Sequence, residues 1–431
     1  MKRIKRVILS SIFLSTFVHL GKIILDENFR KKRSIISTRS NFFYFYGRIL
    51  KFFLFPFLKV TSFYLKRNKI YISVHNLSAI GHLYPEIDLL IRYLRIGHLD
   101  RKAVIWFVMP SDPLLFYLKK IFERDRLKIK LSGFQHLFFN LVMLVDKRQA
   151  ICVSQSSLNY INGLKRLSPN DVFLSRQYRR AVLLSKEQEI FPLRSYGENY
   201  IGESILDRIG IKGSYVVLQI KDRAVNGTFQ AVDPRCYLLG LKWLKSKGYQ
   251  IVFAGRERMP ECFANFGVYN YSESEHANPL NDYMLIFHSS FVIGSASGFV
   301  MMAELLNIPL LTINSWQHVS YVGRKTILIP TLLKKDGKNL TFDQQKDYAF
   351  STKPTGPDNL PLNKRDYKAS DAKANDVLRG LVELLSRIES GDWGYSSLQK
   401  KVKERSRDSM LGVGLSRISH DFVDKNRKIF L

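Results

Sequence analysis

The hydrophobic pattern changes near residue 69. Before it, large apolar residues are interleaved with Lys and Arg; after it, short β-branched runs alternate with stretches of helical spacing. Lys69 to Val74 reads as a strand, His75 to His82 as a polar, glycine-containing turn, and Leu83 to Leu94 as a helix with apolar residues every three or four positions. Ala103 to Met109 is a continuous apolar run, the pattern of a strand buried on both faces of a parallel sheet. Pro110-Ser111-Asp112-Pro113 and an apolar helix, Leu114 to Phe122, follow it. Residues 123–190 are less regular, with a strand expected at Ala150 to Val153.

Residues 191–214, with Pro192, Gly197, Gly202, Gly210 and Gly213, hold no strong period and read as an interdomain connection. A second series then begins. Strands are expected at Tyr215 to Ile220, Gln250 to Ala254, Phe291 to Ile293 and Pro309 to Ile313. Helices are expected at Pro234 to Lys247, Asp282 to His288 and Phe299 to Leu306. Such alternation predicts parallel sheets with crossover helices. Further on, Lys334 to Lys338 reads as a hairpin-like turn and 351–369 as a polar loop. Ser370 to Ile388 reads as a helix capped by Ser370 or Asp371. The basic segment beyond Gly391 is expected to be partly helical and to end in disorder or docking. The organisation is thus α/β, with Rossmann-like parallel-sheet domains at 68–195 and 214–390, a leader at 1–67 and a basic tail at 391–431.

Charge bears on partners. The chain carries 67 Lys and Arg against 37 Asp and Glu, a net +30, which favours polyanions: nucleic acid, anionic lipid or phosphorylated substrates. Residues 1–70 hold 16 of those cations and only two acids, Asp26 and Glu27, mixed with Phe, Leu and Ile. That mixture resembles a membrane-surface segment more than a solvated nucleic-acid arm. Two stretches, Val7 to Leu25 and Phe42 to Lys66, are expected to lie as interfacial helices. Single-pass anchoring of the first is the rival, and core helices the bland alternative. Cys152, Cys236 and Cys262 are widely spaced, suggesting neither a disulfide framework nor a zinc site.

The most informative chemistry is the junction Gly294-Ser295-Ala296-Ser297-Gly298 between a strand and a helix. Small residues let backbone approach a ligand, and helix-start N–H groups favour phosphate. Ser295 and Ser297 could add hydroxyl donors, and Glu304 in the following helix could accept from a ribose. The alternative is a capped tight turn with Glu304 on the helix's far face. Carboxyl ends of parallel strands line ligand crevices, so Lys221 and Arg223 after one strand and Arg256 after the next are expected to converge on the same edge. No P-loop, GxGxxG, HExxH or paired DxD motif is present, and neither a metal nor a cofactor is expected beyond a nucleotide-bearing substrate. In the first domain His82 could act as a base on an acceptor hydroxyl, oriented by Glu86 four positions on. Asp112 is a rival base, and a structural loop histidine is the alternative.

The segments Tyr215 to Arg223, Lys247 to Glu257 and Phe291 to Asn314 resemble the donor half of GT-B glycosyltransferases, and the chain is similar there to a family of bacterial surface-polysaccharide glycosyltransferases. Lys221-Asp222-Arg223, Gly294 to Gly298, and Ile329-Pro330, Asp336-Gly337 and Leu340-Thr341-Phe342 carry the resemblance, with Gly81-His82 more weakly. It spans roughly 70–390. It implies a GT-B-like fold, two Rossmann-like domains facing a cleft, with Ser295, Ser297 and Gly298 on the donor diphosphate and Lys221 and Arg223 as cationic helpers. Lys221 stands where the family more often has Arg, and Ala296 where it has a hydroxyl residue. The implied partners are a nucleotide sugar, a lipid-linked or glycan acceptor and an anionic membrane surface, with no specific nucleic acid. The implied location is the cytoplasmic face of the inner membrane, peripheral or single-pass. The competing readings are a basic nucleic-acid- or membrane-binding protein and an inactive transferase-like scaffold.

Overall fold

The computed structural model describes residues 60, 62–74, 87, 90, 102–109, 127–131, 204–222, 231–315, 323–351, 367–407 and 409–431. The chain divides into two compact units, Met1–Phe57 and Leu58–Leu431. The first lies outside the described residues, and with it the expected interfacial stretch Val7 to Leu25 and most of Phe42 to Lys66. Among the described residues no helix is long and apolar enough to cross a membrane.

The fold is α/β with two parallel sheets, as the alternating pattern predicts. In the first, β1 (Ile70–Val74), β2 (Val104–Met109) and β3 (Leu127–Leu131) pair in that order, all parallel. Ile87 and Leu90, three apart in the expected helix 83–94, are helical and fully buried. The expected helix at 114–122 and strand at 150–153 lie outside the described residues.

The second sheet has seven strands: β4 (Tyr215–Gln219), β5 (Gln250–Phe253), β6 (Tyr269–Asn270), β7 (Phe291–Ser295), β8 (Leu310–Ser315), β9 (Thr326–Pro330) and β13 (Arg417–Ile418). Their spatial order is β13-β9-β8-β7-β4-β5-β6, and every pairing is parallel. The chain therefore starts in the middle at β4, builds outward through β5 and β6, then returns to β4's other side with β7. This is the doubly wound order, and its reversal lies between β4 and β7. Strands β4, β7, β8 and β9 are buried at every position, which is why they read as unbroken apolar runs rather than alternating ones.

Helix α1 (Ser204–Arg208) precedes β4, and three helices cross back between these strands: α2 (Leu238–Ser246), α3 (Pro279–His288) and α4 (Gly298–Leu305). Further along the chain lie α5 (Phe342–Ser351) and the short α8 (Met410–Val413). The expected helix at 234–247 begins instead as a 3₁₀ turn, Pro234–Tyr237, capped by Asp233, whose carboxylate accepts from the Arg235 N–H. A small antiparallel sheet of β10 (Leu332–Lys335), β11 (Lys338–Asn339) and β12 (Tyr367–Ser370) follows. The β10–β11 hairpin turns at Asp336-Gly337, both at positive φ (51° and 78°), the conformation a two-residue Asp-Gly turn adopts.

The helix expected from Ser370 starts later. Ser370 closes β12, and α6 runs from Ala374 to Ser390, its Lys373 N–H donating to Asp376 Oδ2 at 3.1 Å and its end set by Gly391 at φ 70°. Asp371 instead accepts from the Asn314 side chain. Of the two fates open to the segment beyond Gly391, docking is the one observed: α7 (Ser397–Arg405) precedes β13, which joins the sheet on β9, and α9 (His420–Lys425) packs on α6.

Candidate functional site

In a doubly wound sheet two adjacent loops part at the point of reversal and leave a crevice at the strands' carboxyl ends. Here those loops follow β4 and β7, which puts Gln219–Asp222 opposite Gly294–Gly298. Two side-chain hydrogen bonds tie them together. Lys221 N–H donates to Ser295 Oγ at 3.0 Å, and Ser297 Oγ donates to Gln219 Oε1 at 2.8 Å. Gly294 is paired with Gln219 across the ladder, and a Cβ there would stand 2.4 Å from Gln219's carbonyl oxygen and 2.5 Å from Val300 Cγ1. No side chain fits at that position.

Ser297 caps α4: its Oγ accepts from Val300 N–H at 3.4 Å, and its carbonyl takes the first helical bond, from Met301. That leaves the N–H groups of Gly298 and Phe299, which have no carbonyl one turn back within the helix. Gly294 to Ala296 are buried, whereas Ser297, Gly298 and Phe299 are half-buried, so the helix start is the open half of the turn. An anion here would meet two amide hydrogens and the positive end of the helix dipole. Lys221, half-buried, begins the segment directly opposite.

The neighbouring strand ends add polar groups to the same edge. After β5, Gly255 adopts φ 113°, and Arg256 is exposed. At the first turn of α3, whose amino end lies on this edge because β7 follows it, sits Asp282. Burial pushes its carboxyl up to about 7, against the nearby Tyr271 hydroxyl and the charge of Arg256, which pull it down. The Tyr271 hydroxyl donates its hydrogen to the His276 carbonyl at 3.0 Å, and burial raises that phenol as well. At the tip of β8, Asn314 at φ 52° donates to the Ala231 carbonyl (3.0 Å) and Asp371 (2.9 Å) and accepts from Ala372 N–H (3.2 Å). It pins both the chain returning to the β4 side and the approach to α6.

The structure thus brings together Lys221, Gly294, Ser295, Ser297 and Gly298, and sets Arg256 on the same edge beside Asp282. Both serine hydroxyls, expected as ligand donors, are engaged by the protein: Ser295 is fully buried under Lys221, and Ser297 is shared between Gln219 and its own helix. Glu304 is separated from the turn. Its Oε1 accepts from Gly323 N–H and from Thr326 Oγ1 (3.1 Å). Thr326 opens β9, and α4 runs back against the strands, so this carboxylate sits at the amino edge of the sheet, away from the crevice. Arg223, His82, Glu86 and Asp112 lie outside the described residues. Gln219, Asp282 and Asn314 escaped the sequence reading.

No protein-family model matches the chain, and no curated protein matches it. Solved structures similar to it include the iron-containing dodecameric glycosyltransferase TibC from enterotoxigenic E. coli, with a TM-score of 0.45 and 12% identity, over 75% of this chain and 77% of that one. Another is E. coli heptosyltransferase WaaC with ADP (TM-score 0.43, 10% identity, 73% and 99% covered). A third is UDP-GlcNAc 2-epimerase from Methanocaldococcus jannaschii (0.30, 12%, 74% and 99%). With each of these TM-scores below 0.5, the functional weight falls on the residues themselves.

Proposed function

We propose that the chain is a glycosyltransferase of the GT-B type, moving a sugar from a nucleotide-sugar donor to a lipid-linked or glycan acceptor at the cytoplasmic face of a membrane. The observation that carries this reading is the α4 amino terminus held open at the β4/β7 reversal, with Ser297 bonded to Gln219 and Ser295 to Lys221 across it. Glycosyl transfer breaks the bond between the sugar's anomeric carbon and the diphosphate, so negative charge grows on the departing phosphate. Preorganised amides and cations placed where that charge develops stabilise the transition state. The Gly298 and Phe299 N–H groups supply the amides, and Lys221, with Arg223 two residues on, supplies cations. Such neutralisation requires no divalent ion. On the acceptor side, His82 takes the hydroxyl proton as that oxygen attacks the anomeric carbon, with Glu86 orienting it and Asp112 as the alternative base.

Membrane contact is assigned to residues 1–67. The described end of that segment supports it: residues 62–67 are helical, Val60, Phe63 and Tyr64 are 67%, 64% and 43% exposed, and Lys66 and Arg67 stand beside them. Apolar residues bare to solvent next to cations suit an anionic bilayer surface.

The test is a thermal-shift panel of UDP, GDP, CDP and ADP at millimolar concentration, with and without EDTA. At least one should raise Tm by several degrees in both conditions, and its sugar conjugates should then be hydrolysed slowly. No shift with any of the four rejects a donor site.

A further inference from the structure

At the β4/β7 reversal sits one buried side chain that carries no charge and no reactive atom. Gln219, the last residue of β4, is 3% exposed. Its Oε1 accepts from Ser297 Oγ at 2.8 Å, and its Nε2 donates to the Ile220 carbonyl at 3.2 Å. On the β5 side, Gly255 leaves the space it needs: a Cβ there would lie 2.9 Å from Gln219 Cγ. On the β7 side, Gly294 does the same for its backbone oxygen, at 2.4 Å. Gly255 just beyond β5, Gly294 in β7 and the cap of α4 therefore meet at Gln219.

The consequence follows from what a hydroxyl can do. Ser297 has one hydrogen to give, and Gln219 takes it. One of its lone pairs receives the Val300 N–H. Without the amide acceptor the hydroxyl could rotate, release Val300 and loosen the first turn. With it, the cap is locked and the next two amides, of Gly298 and Phe299, stay directed out of the helix.

We propose that Gln219 is the positioning residue of the donor site, fixing Ser297 so that the α4 amide hydrogens, rather than the serine hydroxyls, receive the diphosphate. This rests on the nucleotide-sugar reading above. It assigns a task to a residue that touches no ligand.

The experiment uses the full-length protein and the nucleoside diphosphate found to bind among UDP, GDP, CDP and ADP, compared with its bare nucleoside. Affinities of Gln219→Ala, Ser297→Ala and the double variant are measured by calorimetry. The expected result is a diphosphate Kd about tenfold weaker in either single variant, the scale of one hydrogen bond. The double variant should be no weaker than the singles, because both break the same link, and nucleoside affinity should stay unchanged. If wild type binds a diphosphate and the variants bind it equally well, the inference is overturned and the donor reading stands. Equal loss for nucleoside and diphosphate overturns it too, as general damage to the fold. If wild type binds none of the four, both fall. Should Gln219→Ala fail to fold, the half-exposed Ser297→Ala decides alone.

Discussion

Asp282 gives the sharpest physical test of the carboxyl edge. It sits in the first turn of α3, where the helix dipole favours a negative charge, and Arg256 lies close enough to favour it further, yet burial wins and raises its carboxyl from an ordinary 3.8 to about 7. Between those two values the folded protein holds a proton that the unfolded chain has released, so stability falls as pH rises through the window and levels off above about 7. At about 1.4 kcal/mol per tenfold in protonation, the ceiling on this loss is about 4 kcal/mol. Asp282→Asn keeps the shape and never ionises, so it should abolish that slope. Urea unfolding of both proteins at pH 4, 5, 6, 7 and 8 gives the difference in stability, in which other titrating groups cancel. That difference should move in the variant's favour by about 2 to 4 kcal/mol between pH 4 and 8. A difference that stays constant across the range refutes the assignment. Arg256→Ala supplies the opposite control: without the cation that eases ionisation, the upper end of the window should move to higher pH.

Two further outcomes follow from the ends of the described chain. Replacing Val60, Phe63 and Tyr64 together by Ser should weaken co-sedimentation with anionic vesicles about tenfold or more, since each inserted side chain contributes on the order of 1.5 kcal/mol; unchanged sedimentation removes this face from the membrane contact. Arg417, 1% exposed, donates to the carbonyls of Trp393, Gly394, Arg324 and Leu415 and stacks 4.6 Å from the Tyr395 ring, which locks the C-terminal segment onto the sheet edge. Arg417→Met strands those carbonyls and should cost about 3 to 5 kcal/mol in urea unfolding, with proteolysis appearing within 391–431; a loss under about 1 kcal/mol means the segment is held by packing alone.

Much of the second sheet was legible because its strands are buried on both faces. Tyr215 to Ile220 and Phe291 to Ile293 read as strands from their mostly apolar runs, and such runs are poorly suited to face water. The three-stranded sheet was harder. Strand β3 alternates Leu127, Lys128, Ile129, Lys130 and Leu131, the period-two signal of a strand with one wet face, carried by only five residues inside a basic stretch. The C-terminal dock was illegible for a different reason. Strand β13 is two residues long, and its anchor is an arginine held by carbonyls from distant loops. A basic residue in a basic segment reads as solvated unless the tertiary partners are known.

The candidate site divides along the same line. Its location was readable, because a Gly/Ser turn at a strand–helix junction needs only local chemistry to be recognised. The roles within it were not, because each depends on a partner far along the chain: Ser297 meets Gln219 78 positions away, and Ser295 meets Lys221 74 positions away. Glu304 shows how local reasoning misplaces a group that it describes correctly. It is buried and it does accept hydrogen bonds, but six residues of helix carry it roughly 9 Å from Gly298, and the antiparallel run of α4 turns that distance into a change of sheet edge. The serines make the converse point. Polar residues in a glycine-rich turn look like ligand donors because their hydroxyls look uncommitted in sequence; at a point of strand reversal the backbone loops must themselves be joined, and the shortest side chains that can join them are those same serines. What then remains to face an anion is main chain, which has no residue identity to conserve or to read, so the open amides of Gly298 and Phe299 are recognisable only through the side chains that hold them in place.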